Sequence, residues 1–96
     1  MFARLATYDI PEDRQAEARA GFGQAIRRIR EVPGLQDAYF LLATEGGRAV
    51  TVTFWESREA MAASRVAASR LRGDASAAVD GAVVSVDEFE VVADAG

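Results

Sequence analysis

The sequence contains no histidine and no cysteine. Without cysteine there is no disulfide and no thiolate nucleophile. Without either residue there is no imidazole or thiolate cluster to hold a transition metal, so no metal is expected. No phosphate-binding loop is present, and no cofactor is expected. Lysine is also missing. All eleven basic residues are arginine, a bias read as that of a GC-rich coding sequence rather than a dedicated anion site. The net charge of −4 argues against a nucleic-acid partner, which calls for a basic face. No apolar run approaches the roughly 20 residues that span a membrane. Met1-Phe2-Ala3-Arg4-Leu5 continues into polar residues instead of an apolar signal core. The expectation is a cytoplasmic protein with neither nucleic acid nor membrane as partner. Acid–base chemistry is confined to carboxylates, Tyr8, Tyr39 and arginine.

What is present is a compact set of elements. The 96 residues, half of them hydrophobic, fit one domain over residues 1–96 with a core of modest size. Residues 2–9 read as a first strand. Ile10-Pro11-Glu12-Asp13 opens a helix, with Pro suited to the first helical position and Asp9 the better capping residue. Ala18, Phe22, Ala25, Ile26 and Ile29 recur at helical spacing, and Val32-Pro33-Gly34 stops the helix near Glu31. Gly21 and Gly23 weaken it by about 1 kcal/mol each, which suggests close approach to a neighbour. Leu35 to Thr44 is a second strand. Glu45-Gly46-Gly47-Arg48 is a hairpin turn, and Ala49 to Trp55 is the third strand. Ser57 caps a second helix, with Met61, Ser64, Ala68 and Leu71 as its inward stripe. Gly73 is expected to end it, so that Arg72-Gly73-Asp74 is a helix end and not an adhesion signal. Residues 74–82 read as a loop with at most one helical turn, and Val83 to Val92 as the fourth strand. The order βαββαβ predicts an α+β, ferredoxin-like sandwich: a four-stranded antiparallel sheet with two helices on one face.

The strands carry large apolar groups on both faces. Val50, Val52 and Phe54 alternate with Thr51, Thr53 and Trp55. Ala38, Phe40 and Leu42 alternate with Tyr39 and Leu41. Val84 and Val86 are placed opposite Val83 and Phe89. Helices cover only one face, so a patch of Tyr39, Leu41, Trp55 and Phe89 is expected to remain open, which is unusual for a monomer. A homodimer with sheets face to face follows as the expectation.

The strand order, the length, Pro33-Gly34-Leu35 and above all Phe54-Trp55-Glu56-Ser57-Arg58-Glu59-Ala60-Met61 resemble the antibiotic biosynthesis monooxygenase-like domain of the dimeric α+β barrel superfamily. The resemblance covers roughly residues 1–92. It implies a homodimer with a pocket in each protomer between sheet and helices. Some members oxidise polyketide phenols with O2 and no cofactor, others degrade haem, and others are ligand carriers or resemble isomerases. Haem-degrading members carry an axial histidine on or just after the second helix, and a tryptophan nine residues past the junction aromatic. Here that position is Ser64, and the sequence holds no histidine. Haem degradation by that route is therefore not expected.

The candidate ligand-binding residues are Tyr8, Phe22, Tyr39, Trp55, Met61 and Ser64. No catalytic residue is assigned. Each has a structural alternative. Ser64 is either a small buried hydroxyl bonded to a carbonyl one turn back or a polar contact inside a pocket. Trp55 is a core or interface anchor or a pocket wall. The Tyr39 phenol needs a partner if buried. Phe22 and Met61 are core residues or pocket lining, and Tyr8 stands at the pocket mouth. Arg65 is a solvated helix residue or an anion contact. Three functions compete. One is cofactor-independent oxygenation of a small aromatic or polyketide-type compound, with Tyr39 and Ser64 as donors. Another is a non-catalytic dimeric ligand-binding or structural module. The third is an isomerase or lyase, which requires an inward base such as Glu88.

Overall fold

The computed structural model describes residues 1–96. Strand β1 (Phe2–Asp9) leads through a single 3-10 turn (Glu12–Arg14) into helix α1 (Gln15–Ile29). Strands β2 (Leu35–Leu42) and β3 (Arg48–Trp55) form a hairpin, followed by helices α2 (Arg58–Ala63) and α3 (Arg65–Ala77) and strand β4 (Ala82–Glu90). The sheet order is β2-β3-β1-β4, with every neighbouring pair antiparallel. This is the α+β ferredoxin-like sandwich that the sequence predicts.

Two glycines fix the corners. Gly34 takes φ 86°, a left-handed conformation that favours glycine. Its carbonyl accepts from Glu56 N–H at 2.9 Å, and a Cβ there would collide with Ala60 Cβ. The Gly47 carbonyl accepts from Ile10 N–H at 2.7 Å, and a Cβ would run into the Ile10 carbonyl. These contacts tie the α1–β2 junction to α2, and the hairpin to the end of β1. By contrast, Gly21 has open space where a side chain would stand, and Gly23 faces only the guanidinium of Arg27. The expected close approach at these two positions does not occur.

The second helix departs most from expectation. It breaks at Ser64, and its second half continues past Gly73 to Ala77. The break has a local cause. The Met61 carbonyl, which would accept from Arg65 N–H in an unbroken helix, instead accepts from Ser64 Oγ at 2.7 Å and Arg4 Nη2 at 2.8 Å. Ser64 N–H also reaches it at 3.2 Å. Competition of this kind for a backbone acceptor kinks helices. Beyond Gly73 the alanine-rich run Ala75-Ser76-Ala77 favours helix enough to offset one glycine, and Ala75, Ser76 and Val79 are buried. The true stop is Asp80, at φ 55°. Its N–H bonds Ala77 O at 3.2 Å and Gly81 N–H bonds Ser76 O at 2.8 Å, the pairing of a Schellman cap. Arg14 holds the Asp80 carboxylate at 2.8 Å.

Paired residues on a ladder share a face, so the register assigns the two sides. Arg4, Ala6 and Tyr8 of β1 and Thr51, Thr53 and Trp55 of β3 lie under the helices, where Tyr8, Phe22 and Ile10 anchor one cluster and Trp55, Met61 and Ile29 another. Trp55 is fully buried there, which corrects its expected place in the open patch. Its position on the far face is taken by Phe54, whose ring meets Tyr39 edge-on at 6.5 Å. A register shift between Thr7 and Tyr8 leaves Val84 between pairs. Val83 and Val86 consequently pair with Tyr8 and Ala6 on the helix side, not on opposite faces. The open face keeps Tyr39, Leu41 and Phe89, each about half exposed, beside Leu5, Val50, Val52 and Phe54.

Candidate functional site

The helix side of the sheet contains one apolar cleft, between β1 and β3 below and α1 and α3 above. Tyr8 and Thr51 form part of its floor, and Phe22, Ile26, Ile29 and Leu71 its walls. The cavity is about 40 Å³, room for no more than a few waters. Beyond that space the cleft opens to solvent at its mouth. Phe22 is held rigidly. Its ring stacks on Phe40 at 4.5 Å and meets Tyr8 edge-on at 4.8 Å. The Tyr8 hydroxyl shares a hydrogen bond of 2.9 Å with Thr51 Oγ1. Burial pushes the Tyr8 phenol above its ordinary pKa, against smaller opposing effects of Thr51 and Arg72. At neutral pH it is therefore a neutral hydroxyl able to donate.

At one end of the cleft lies a charged network. Arg4 is 4% exposed. Its Nε and Nη2 donate to Glu88 Oε2 at 3.2 and 2.8 Å, its Nη1 to Ser64 Oγ at 3.0 Å, and its Nη2 also to Met61 O. Its guanidinium lies 5.7 Å from the centre of the Trp55 ring, and Trp55 Nε1 donates to Thr53 Oγ1 at 3.0 Å. Arg65 donates to both Glu88 oxygens, at 3.1 and 2.5 Å. Arg65 is thus committed to an internal carboxylate. Arg72, on α3 beside Leu71, lines the cleft, and no side chain or carbonyl pairs with it. Burial lowers its pKa from the usual arginine value, with Arg4 adding to the effect and Tyr8 and Glu88 opposing it.

Glu88 does face inward, as an isomerase base would have to. The hydrogen bonds from Arg65, then from Arg4, outweigh burial and hold its carboxyl at about 2, below its ordinary 4.5. It is ionised and doubly paired at neutral pH, so it is a poor proton acceptor. A carboxyl with a depressed folded-state pKa stabilises the fold above its unfolded pKa, and that contribution fades as pH falls through the folded value. Urea denaturation between about pH 5 and pH 2 checks this. The wild type should lose stability on acidification more steeply than Glu88→Gln, with the difference concentrated between about 4.5 and 2.

Of the six candidate residues, the structure brings Tyr8 and Phe22 together in the cleft. Tyr8 lies on its buried floor and not at the mouth. Trp55, Met61 and Ser64 form the adjoining packed core and the Arg4 network, with Ser64 adopting its structural role of bonding a carbonyl one turn back. Tyr39 is on the opposite face, where its hydroxyl donates to Asp37 Oδ2 at 2.7 Å. It cannot reach the cleft. The residues missed are Arg4, Thr51, Ile26, Ile29, Leu71 and Arg72. Ile26 and Ile29 stood in the α1 stripe, and Leu71 in that of the second helix. Arg72 follows Ala68 by one turn, but a charged residue beside an apolar stripe reads as solvated.

The sequence profile of antibiotic biosynthesis monooxygenases matches residues 1–72. No curated protein matches the chain significantly. Among solved structures, the haem degrader MhuD from Mycobacterium tuberculosis is 26% identical, with TM-score 0.71 and all of both chains covered. SnoaB, a cofactor-independent oxygenase from Streptomyces nogalater, is 11% identical with TM-score 0.79, covering 98% of this chain and 95% of that one. A protein from Deinococcus radiodurans is 13% identical with TM-score 0.82, covering 100% and 97%. The last two, at such identities, share the fold alone.

Proposed function

The chain belongs to the antibiotic biosynthesis monooxygenase family, and on that footing we propose a cofactor-independent oxygenase that takes a small aromatic or polyketide-type compound into the cleft above Tyr8. The observation that carries this reading is a narrow apolar slot bearing a protonated phenol and a guanidinium without a counterion. In this chemistry an activated ring methylene loses a proton to water, and the resulting carbanion reduces O2 and takes a proton back from water as the hydroperoxide. The hydroperoxide that forms then loses water, so that the methylene and O2 become a ring carbonyl and one water. The substrate supplies the electrons. The protein supplies desolvation, orientation and donors for the developing anion. Tyr8 and Thr51 occupy the donor positions, and Phe22 the ring-packing position. Haem breakdown is not part of the reading, because there is no histidine to ligate iron.

An oxygen electrode with an anthrone-type substrate tests this. Uptake of one O2 per quinone formed is expected, falling about 100-fold or more in Tyr8→Phe if that donor meets the developing charge. Uptake no faster than in buffer would remove the catalytic reading.

The small size of the cavity and the quenched Glu88 favour a second reading, a non-catalytic dimeric small-ligand-binding or structural module. Saturable ligand binding without oxygen uptake would select the binding form of it.

The open sheet face supports a homodimer. Its apolar residues lie on the side without helices, and a second sheet would cover them. Light scattering at micromolar concentration should give twice the 10.3 kDa chain mass, and Leu41→Asp should restore the monomer. A monomeric wild type would refute the pairing.

A further inference from the structure

Arg72 differs from the other cations at this end of the molecule. Arg4 and Arg65 both close on Glu88, which uses up the nearest carboxylate. Arg72 forms neither a salt bridge nor a hydrogen bond, although it is half-buried. It lines the apolar cleft together with Tyr8 and Leu71. It also lines an adjoining groove between α3 and β4, where it stands with Ser69. The other carboxylate on that groove is Asp87, whose register partner is Leu5, on the open face of the sheet. A half-buried arginine pays for desolvation without a compensating partner, and the missing partner is an anion.

We propose that Arg72 and Ser69 form an anion subsite at the mouth of the cleft, so that its ligand is an aromatic acid: a flat ring against Phe22, Ile26 and Leu71, and a carboxylate on the Arg72 guanidinium. This rests on the reading of the cleft as a ligand site and narrows its chemical class. A guanidinium fork matches a carboxylate in two parallel hydrogen bonds. The apolar walls pack against the ring at the open mouth, and Arg4, the charged group deeper in, is already paired with Glu88. The ligand is therefore charged at one end only.

The test uses two probes of nearly equal shape, 2-naphthoate and the uncharged 2-naphthamide, titrated by calorimetry into wild type and Arg72→Gln. Naphthoate should bind wild type about tenfold or more tighter than the amide, with a preference that shrinks at high salt. Arg72→Gln should lose that preference and keep its affinity for the amide. Arg72 makes no internal hydrogen bond, so the variant should melt close to wild type. Arg72→Met provides an independent check should glutamine perturb the fold. Equal binding of the two probes to wild type, or a preference that survives both substitutions, overturns the anion subsite and leaves the cleft intact. Failure of both probes to bind overturns the subsite and the cleft reading together.

Discussion

Arg4→Ala should cost about 3–5 kcal/mol of folding stability, the range for removing one member of a buried charge network. The reason lies in the number of groups that depend on this one side chain. Arg4 satisfies the Ser64 hydroxyl, contributes to the Met61 carbonyl at the break between α2 and α3, and shares Glu88 with Arg65. Truncation leaves a void beside Trp55 and returns Glu88 to a single partner. Lysine restores the charge but not the planar fork, so Arg4→Lys should recover only part of the loss. Urea unfolding of the three proteins measures it. A cost below about 1 kcal/mol for alanine, the level of an ordinary surface ion pair, would show that the network does not hold the helix break in place.

Trp55→Ala should be comparably severe, about 3–5 kcal/mol by the usual cost of emptying a core aromatic site. Trp55 is wholly inaccessible and packs with Ile29, Met61 and Ala68, bordered by Phe2 and Leu35. These side chains come from β1, α1, β2, α2 and α3, so one ring joins most of the sandwich. Such a loss is a large share of the roughly 5–15 kcal/mol typical of a whole domain. Trp55→Phe should fall between, because it keeps a ring but leaves the Thr53 hydroxyl without the indole N–H. Denaturation midpoints rank the series, and near-neutral behaviour of Trp55→Ala would contradict the core assignment.

The order and class of the elements were legible because strands with a period of about 2 and helices with a period of about 3.6 leave separate marks in a sequence. Glycine and proline at 33–34 and 46–47 marked two of the corners. Which face of the sheet the helices cover was harder to read. In β3, Val-Val-Phe and Thr-Thr-Trp both suit a core, and only the register with β1 puts the threonines inside. That choice moved Trp55 into the core, while Tyr39, alternating in β2, fell on the open face. Arg4 was invisible for a different reason. A charged residue in a strand of a small protein reads as solvated, and its burial depends on Glu88, 84 positions away. The end of α3 was misread because one glycine was weighed above the alanines around it.

The central claim is that the cleft above Tyr8 is the ligand site of this protein. Amide chemical-shift mapping with 2-naphthoate tests it most directly. The claim predicts saturable shifts clustered at Tyr8, Phe22, Ile26, Leu71 and Arg72. Shifts confined to the open sheet face around Tyr39, Leu41 and Phe54, or no saturable shifts at all, would contradict it.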